Sequence, residues 1–483
     1  MTKPKKTEKI RLRFPPSPTG PAHIGTVRTI LFNYLFAKQN KGETVLRIED
    51  TDKERSKLEW VQNIIDELHW LGIDWDEGPD VGGPHSPYKQ SQRTEIYQKY
   101  LEQLLTEKKA YYCNCSAETL EEKKQKQTVL GLAPKYDGTC RDKNNIAGVI
   151  RFKIEEKKVH FEDMIRGRVE FDMGLLGDMV IAKDLQTPLY HFAVVVDDFE
   201  MKISHIIRGE DHISNTPKQI LLQEALDFYQ PIYAHIPLLL NPNKSKMSKR
   251  AGDVAVSDFH KNGYLPEAII NFIVLLGWNP GTEKELFTLD ELVKEFSLQK
   301  VQKAGAVFNI QRLDFINGHY IKEKPIARLV ELCLPYLAEF DTAQFTKHQL
   351  EQIVELHRPR LKKLSEISAM ADYFFKTPQY DTSLLAWAKM SSGEVKAALQ
   401  TCKKVLEGAE TFNAKSLEEL LSREAELFNL EKNYPLKNKG YLLWPMRVAL
   451  SGREASAGPF EIAEILGKEK TLQRINDAIS LIS

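Results

Sequence analysis

A histidine, a glycine and a threonine close together, and far downstream a knot of lysines, are the residues of this chain best suited to chemistry. The first group lies in Ser17-Pro-Thr-Gly-Pro-Ala-His23-Ile-Gly25-Thr26, which leaves a predicted strand and opens a predicted helix. A helix N-terminus offers unpaired N–H groups and about half a positive charge, a setting that suits phosphate. Gly25 lets a phosphate or a flat ring approach the backbone, and His23 and Thr26 can donate hydrogen bonds to phosphate oxygens. The second group, Asn243-Lys-Ser-Lys246-Met247-Ser-Lys249-Arg250, carries four cations and no acid in eight residues. Such crowding is unfavourable unless an anion joins it. Taken singly, the first is equally a capped proline-rich turn and the second a solvated basic loop. They stand more than 200 residues apart, each after an apolar strand, where α/β sheets carry their ligand loops.

The elements around them follow from periodicity. Residues 9–14 alternate charged and apolar side chains, predicting a strand with two unlike faces. Pro15–Pro21 contains four prolines in seven residues and is neither helix nor inner strand. A helix is predicted from about Gly25, with Val27, Ile30, Leu31, Tyr34 and Leu35 on one face and Gly42 as its stop. A strand over Thr44–Glu49, the acidic turn Asp50–Asp52 and a helix to about Leu71 complete a parallel α/β pattern. From Tyr111 to Phe171 a charged helix, a cysteine cluster and short β-like pieces read as an insertion. The pattern returns in the β-like runs Asp178–Lys183, Leu189–Val196 and Ile203–Arg208, and ends at Ala234–Leu240. Beyond about residue 255 only Leu/Glu/Lys-rich helical periods remain, predicting a separate helical portion.

Composition narrows the class. The 483 residues predict roughly three domains. With 67 Lys+Arg against 67 Asp+Glu, any polyanion must be met by local patches. No apolar run reaches the ~18 residues that cross a bilayer, and no apolar segment follows the basic N-terminus as a signal peptide requires. Five cysteines exclude a disulfide scaffold. The expectation is a soluble, cytoplasmic, multidomain protein. Cys113, Cys115, Cys140 and Asp142 can complete a tetrahedral Zn²⁺ site, with Tyr136 as a substitute fourth donor; three reduced structural thiols are the alternative. Cys333 and Cys402 lie in apolar helical contexts and read as core.

The paired motifs resemble the "HIGH" and "KMSKS" signatures of class I aminoacyl-tRNA synthetases, with Thr26 in place of the second histidine. Arg13-Phe-Pro-Pro-Ser-Pro-Thr-Gly, Arg47-Ile-Glu-Asp-Thr-Asp52, Tyr88-Lys-Gln-Ser-Gln-Arg93 and Trp444–Gly452 extend the resemblance, end to end, to the bacterial glutamyl-tRNA synthetase family. That resemblance implies an α/β class I synthetase fold. It divides into a Rossmann-type catalytic domain at 1–110 and 185–254, an inserted α+β acceptor-binding domain at 111–184, a stem-contact helical domain at 255–324 and an all-α anticodon-binding region at 325–483. It implies ATP-dependent ligation of glutamate to tRNA(Glu) through a glutamyl-adenylate, with Mg²⁺ accompanying ATP, zinc as a structural ion and a monomeric state. By motif, ATP falls to His23, Gly25, Thr26, Lys246, Met247 and Lys249, with His23, Thr26, Lys246 and Lys249 catalytic. Glutamate falls to Arg13, Ser17, Glu49, Tyr190 and Arg208. Val194 stands where some relatives have asparagine, leaving one wall of that pocket undefined. Arg360 and Arg447 match anticodon contacts.

Rival readings are separable. A glutaminyl-tRNA synthetase shares the catalytic half but ends in β-barrels. The relative that glutamylates queuosine lacks an anticodon domain, and simpler nucleotidyltransferases need neither the insertion nor the helical tail. A catalytically inactive RNA-binding paralogue is opposed by intact His23, Lys246 and Lys249.

Overall fold

The computed structural model describes residues 9–52, 54–247 and 255–482. It forms two compact units. One runs to His260 and adds Pro266–Leu313; the other takes Lys261–Leu265 and the chain from Asp314 onward. Lys249 and Arg250 lie outside the described residues.

The first unit begins with β1 (Arg11–Phe14), α1 (Ile24–Gln39), β2 (Glu43–Leu46), α2 (Leu58–Trp70) and α3 (Thr94–Thr106). β1 and β2 are parallel, with Arg13 opposite Val45. Next come β3 (Ala110–Cys113), α4 (Ala117–Val129), β4 (Val149–Phe152), β5 (Lys158–Asp163), β6 (Gly167–Asp172) and β7 (Met179–Ala182). β3, β4 and β7 form an antiparallel sheet of their own. α5 (Tyr190–Glu200), β8 (His205–Gly209), α6 (Thr216–Ala225), β9 (Ile232–Ile236) and the short β10 (Leu239–Leu240) return to the parallel layer, where β8 pairs β9. The β5–β6 hairpin joins that layer, since Asp163 pairs with Tyr233 of β9 in the order β6-β5-β9-β8. Thus the β5–β6 hairpin extends the parallel layer at one edge. α7 (Val256–Lys261), α8 (Pro266–Leu275), α9 (Leu289–Glu295) and β11 (Ala306–Val307) follow, β11 pairing β10, and α10 (Ile310–Glu323) begins here and continues into the second unit.

One expectation needs correction. Leu189–Val196 is not β-like: from Tyr190 it is α5, whose valines Val194, Val195 and Val196 enter one apolar core with Phe192 and Ile206. Short apolar runs are ambiguous between strand and helix, and tertiary packing decides. Both faces of β1 are buried, all four of its residues included. Its arginines meet acids brought from elsewhere: Arg11 binds Glu43 and Glu77, and Arg13 binds Asp198.

The second unit is helical: α11 (Ile326–Cys333), α12 (Lys347–His357), α13 (Glu366–Phe375), α14 (Ser392–Gly408), α15 (Ala414–Lys432), α16 (Gly440–Ser451) and α17 (Pro459–Leu481), the last broken at Gly467. Ser391 and Glu394 form a capping box at α14, as do Thr346 and Gln349 at α12. Cys333 and Cys402 are fully buried core residues.

Candidate active site

At the head of α1, His23 is the N-cap, and its Nδ1 accepts the Gly25 N–H at 3.0 Å. An accepting Nδ1 leaves the ring proton of the neutral imidazole on Nε2, the nitrogen that can donate. The helix is seated by buried Asn33, which donates to Ile207 O at 3.0 Å, and by Arg28, which donates to Leu276 O at 2.9 Å and to Pro237 O. A cavity of about 490 Å³ opens in front of it. Arg13, Ser17, His23, Gly25, Thr26, Glu49, Tyr190, Arg208, Lys246 and Met247 all line it. Of the residues expected to bind ATP or glutamate, only Lys249 is left to place, outside the described residues. The flanking chain does reach the cavity: Met247 N donates to Leu239 O, and Val256 N to Ala22 O beside His23.

Sequence reasoning missed what holds the Arg13 and Glu49 side of this cavity. Arg47, wholly buried, bonds Asp198 at 2.7 Å and Glu49 at 2.9 Å, while Arg13 Nε reaches the same Asp198 oxygen at 3.2 Å. Asp198 therefore fixes two guanidinium groups from neighbouring strands. Burial lifts the Glu49 carboxyl above its ordinary range against the pull of Arg47 and Arg13. Arg13 Nη1 and Arg208 Nη1 are buried and find no partner among the described residues. A carboxylate meets that requirement. Val194 faces the apolar core, and His212 lines the cavity, its Nδ1 3.2 Å from the Tyr190 hydroxyl. Burial, aided by Arg208, draws His212 down to about 4, so it stands neutral. The only sequence signal for His212 was its place four residues after Arg208.

The lysine side rests on a tight turn in which Lys244 N donates to Asn241 O at 2.8 Å. Lys246 is half-exposed and meets Asp211 at 3.3 Å. A wider hollow of about 700 Å³ on the insertion satisfies its own charges, as in Lys157–Glu224 at 2.8 Å, and offers a ligand little field.

The sulfurs of Cys113, Cys115 and Cys140 lie within 4.8 Å of one another. Asp142, expected as fourth donor, is exposed and outside this group. The turn instead directs Arg141 onto Asp178 at 2.6 Å, and the Tyr136 hydroxyl stands 3.3 Å from Cys113 Sγ and 3.7 Å from Cys115 Sγ. Gly177 permits this, since a Cβ there would lie 2.5 Å from the Tyr136 backbone. Burial alone would raise the Cys140 thiol, but hydrogen bonds from Tyr136 and the Asn114 backbone bring it down to about 7. Three thiols and a phenol are a donor set that suits zinc.

In the second unit, Arg360 and Arg447 meet at one segment. Arg360 Nη1 donates to Ser456 O at 3.2 Å and Arg447 Nε to Ser456 Oγ at 3.1 Å. Burial, followed by the nearby charge of Arg360, lowers the Arg447 guanidinium. Arg447 also lies over the Trp444 ring at 5.3 Å.

Comparison with known proteins agrees with this geometry. Residues 9–315 match the family described as tRNA synthetases class I (E and Q), catalytic domain, and residues 328–479 match an anticodon binding domain. The glutamate–tRNA ligase 2 of Caldicellulosiruptor saccharolyticus is 41% identical, over 96% of this chain and 98% of that protein. The glutamate–tRNA ligase of Desulforamulus reducens is 40% identical, over 97% and 99%. A crystal structure of a glutamate–tRNA ligase from Elizabethkingia meningosepticum, in complex with its amino acid, superposes with a TM-score of 0.88 at 33% identity, covering 99% of this chain and 100% of that one. With a catalytic cavity built from its two signature motifs and a helical unit of the matching kind, this chain belongs to the class I tRNA synthetases of the glutamate and glutamine group.

Proposed function

We propose that the chain ligates L-glutamate to tRNA(Glu) at the expense of ATP. The observation that carries this reading is the convergence of ten motif residues, from distant parts of the sequence, on one cavity. Glu49 takes the substrate ammonium, and the unpartnered nitrogens of Arg13 and Arg208 take its carboxylates. His23 Nε2, Thr26 and the N–H groups of α1 hold the phosphates of Mg·ATP. The substrate α-carboxylate attacks the α-phosphorus, pyrophosphate leaves, and Lys246 and Lys249 neutralise the charge that grows on it. The 2′-hydroxyl of the terminal adenosine then attacks the acyl carbon, and AMP departs.

Cys113, Cys115, Cys140 and Tyr136 would hold a zinc ion, whose role is to tie the end of β3 to the loop before Asp142. The insertion at 111–184 takes the acceptor arm, residues 255–324 contact the stem, and Arg360 and Arg447 in 325–483 read the anticodon. An arginine at position 360 favours rejection of tRNA(Gln). The helical second unit opposes a glutaminyl enzyme.

The test charges purified glutamate and glutamine tRNAs with either amino acid, with metal content measured on the same sample. Glutamate on tRNA(Glu) is expected, together with about one zinc per chain. Lys249→Ala is expected to lower ATP–pyrophosphate exchange by at least ~100-fold while tRNA affinity stays level. Unaltered exchange removes the lysine from the transition state, and charging of glutamine alone overturns the substrate.

A further inference from the structure

Arg208, on β8, is held by a chain of buried contacts that starts outside the catalytic motifs. Its Nε donates to His235 Nε2 at 3.2 Å and its Nη2 to Thr216 Oγ1 at 2.8 Å, leaving Nη1 for the cavity. His235 lies on β9, opposite Arg208 in the parallel register. Its Nδ1 meets Asp163 Oδ2 at 2.6 Å, and both side chains are 0% exposed. Asp163 ends β5, in the inserted hairpin. Its second oxygen is fixed by the backbone N–H groups of Ile165 at 3.0 Å and Arg166 at 2.8 Å. Arg166 then reaches across to the His235 carbonyl at 3.2 Å and to Glu210, two residues after Arg208.

The proton assignment is constrained. Burial holds the His235 imidazole below its ordinary range although Asp163 pulls the other way, so the ring is neutral. Burial also opposes ionisation of Asp163, but its hydrogen bonds to His235 and the Arg166 backbone outweigh that and keep it a carboxylate. The proton on Nδ1 therefore points at Asp163, and the Nε2 lone pair faces the Arg208 N–H. An ionised acid orients a neutral imidazole, which in turn orients a guanidinium.

We propose that Asp163 and His235 are positioning residues for Arg208, through which the inserted β5–β6 hairpin sets the aim of an amino-acid-binding guanidinium. This rests on the reading of Arg208 as a glutamate ligand. The hairpin is thereby part of the amino-acid site as well as of the insertion. A shift of the hairpin against β9 is read at Arg208 without any residue of the hairpin touching the substrate.

The test uses the full chain in glutamate-dependent ATP–pyrophosphate exchange with tRNA(Glu) present. His235→Ala is expected to raise KM for glutamate at least ~10-fold while KM for ATP stays within about twofold. His235→Gln, which offers an amide oxygen in place of Nε2, is expected to recover most of the loss. Should His235→Ala not fold, Asp163→Asn decides by the same pair of constants, since it keeps size and an accepting oxygen but removes the charge. A KM for glutamate within about twofold of the parent, a parallel rise in both KM values, or no recovery with glutamine overturns the assignment. An inactive parent chain overturns the functional reading and this inference with it; an active parent isolates the inference.

Discussion

The arginines of the two units are prepared for different work. In the first unit Arg13, Arg47 and Arg208 are almost fully buried, and Arg13 and Arg47 share Asp198 while Arg208 leans on His235 and Thr216. In the second unit Arg360 is exposed and Arg447 half-buried, and they bond a backbone carbonyl and a hydroxyl, with no acid between them among the described residues. Buried, compensated guanidinium groups lose little freedom when a small ligand arrives and hold it to one geometry. Uncompensated, partly wet ones keep their charge available for a polyanion and read it through salt-sensitive contacts. On the proposed reading, one set holds a small ligand by shape and the other meets a polyanion by field.

The sharpest way to break the comparison is Arg47→Ala. It leaves Asp198 and Glu49 buried without their shared cation, and removing one member of such a group costs about 3–5 kcal/mol. Denaturant unfolding should show that loss, and glutamate activation should fall with it. A variant of parental stability would mean that the acids are not charged as described.

Arg360→Gln should leave stability and adenylate formation near parental values. It should weaken tRNA binding by about 1–3 kcal/mol, lower the salt slope by about one unit, and relax the choice between glutamate and glutamine tRNAs. If charging of both tRNAs stays at the parental level, the arginine does not read the anticodon.

A further effect is pH-dependent. Burial draws His191, His205 and His212 of the first unit down to about 4. An unfolded chain takes up these protons near the ordinary value of about 6.5, before the folded chain does. Stability is therefore full above that pH and declines as pH falls toward 4. Hydrogen exchange at pH 7.5 and pH 5 should show α5, β8 and the turn that follows β8 weakening. A flat response would mean that they are not held neutral.

Much of the cavity was legible because its signals are local. His23, Gly25 and Thr26 sit within one turn, and the turn after β10 announces itself by its lysines. What was not legible is pairing across the chain. The alternation in residues 9–14 marks two unlike faces, but nothing nearby shows that Glu43, Glu77 and Asp198 come to Arg11 and Arg13. The valines of α5 suggested β structure, although the same helix carries Asp198, which orders the site. Asp142 had the right spacing for a ligand, but its neighbour Arg141 is claimed by Asp178, and Tyr136 stands among the sulfurs in its stead. His235 and Asp163, 72 residues apart, meet only because β5 adds to the edge of β9.

Glu49 gives the cavity a further property. Burial holds its carboxyl above the ordinary range against the pull of Arg47 and Arg13. On the proposed reading, a substrate ammonium adds to that pull and favours the ionised form. Across the pH range in which the carboxyl of the empty cavity titrates, affinity for the amino acid therefore improves as the solution becomes less acidic.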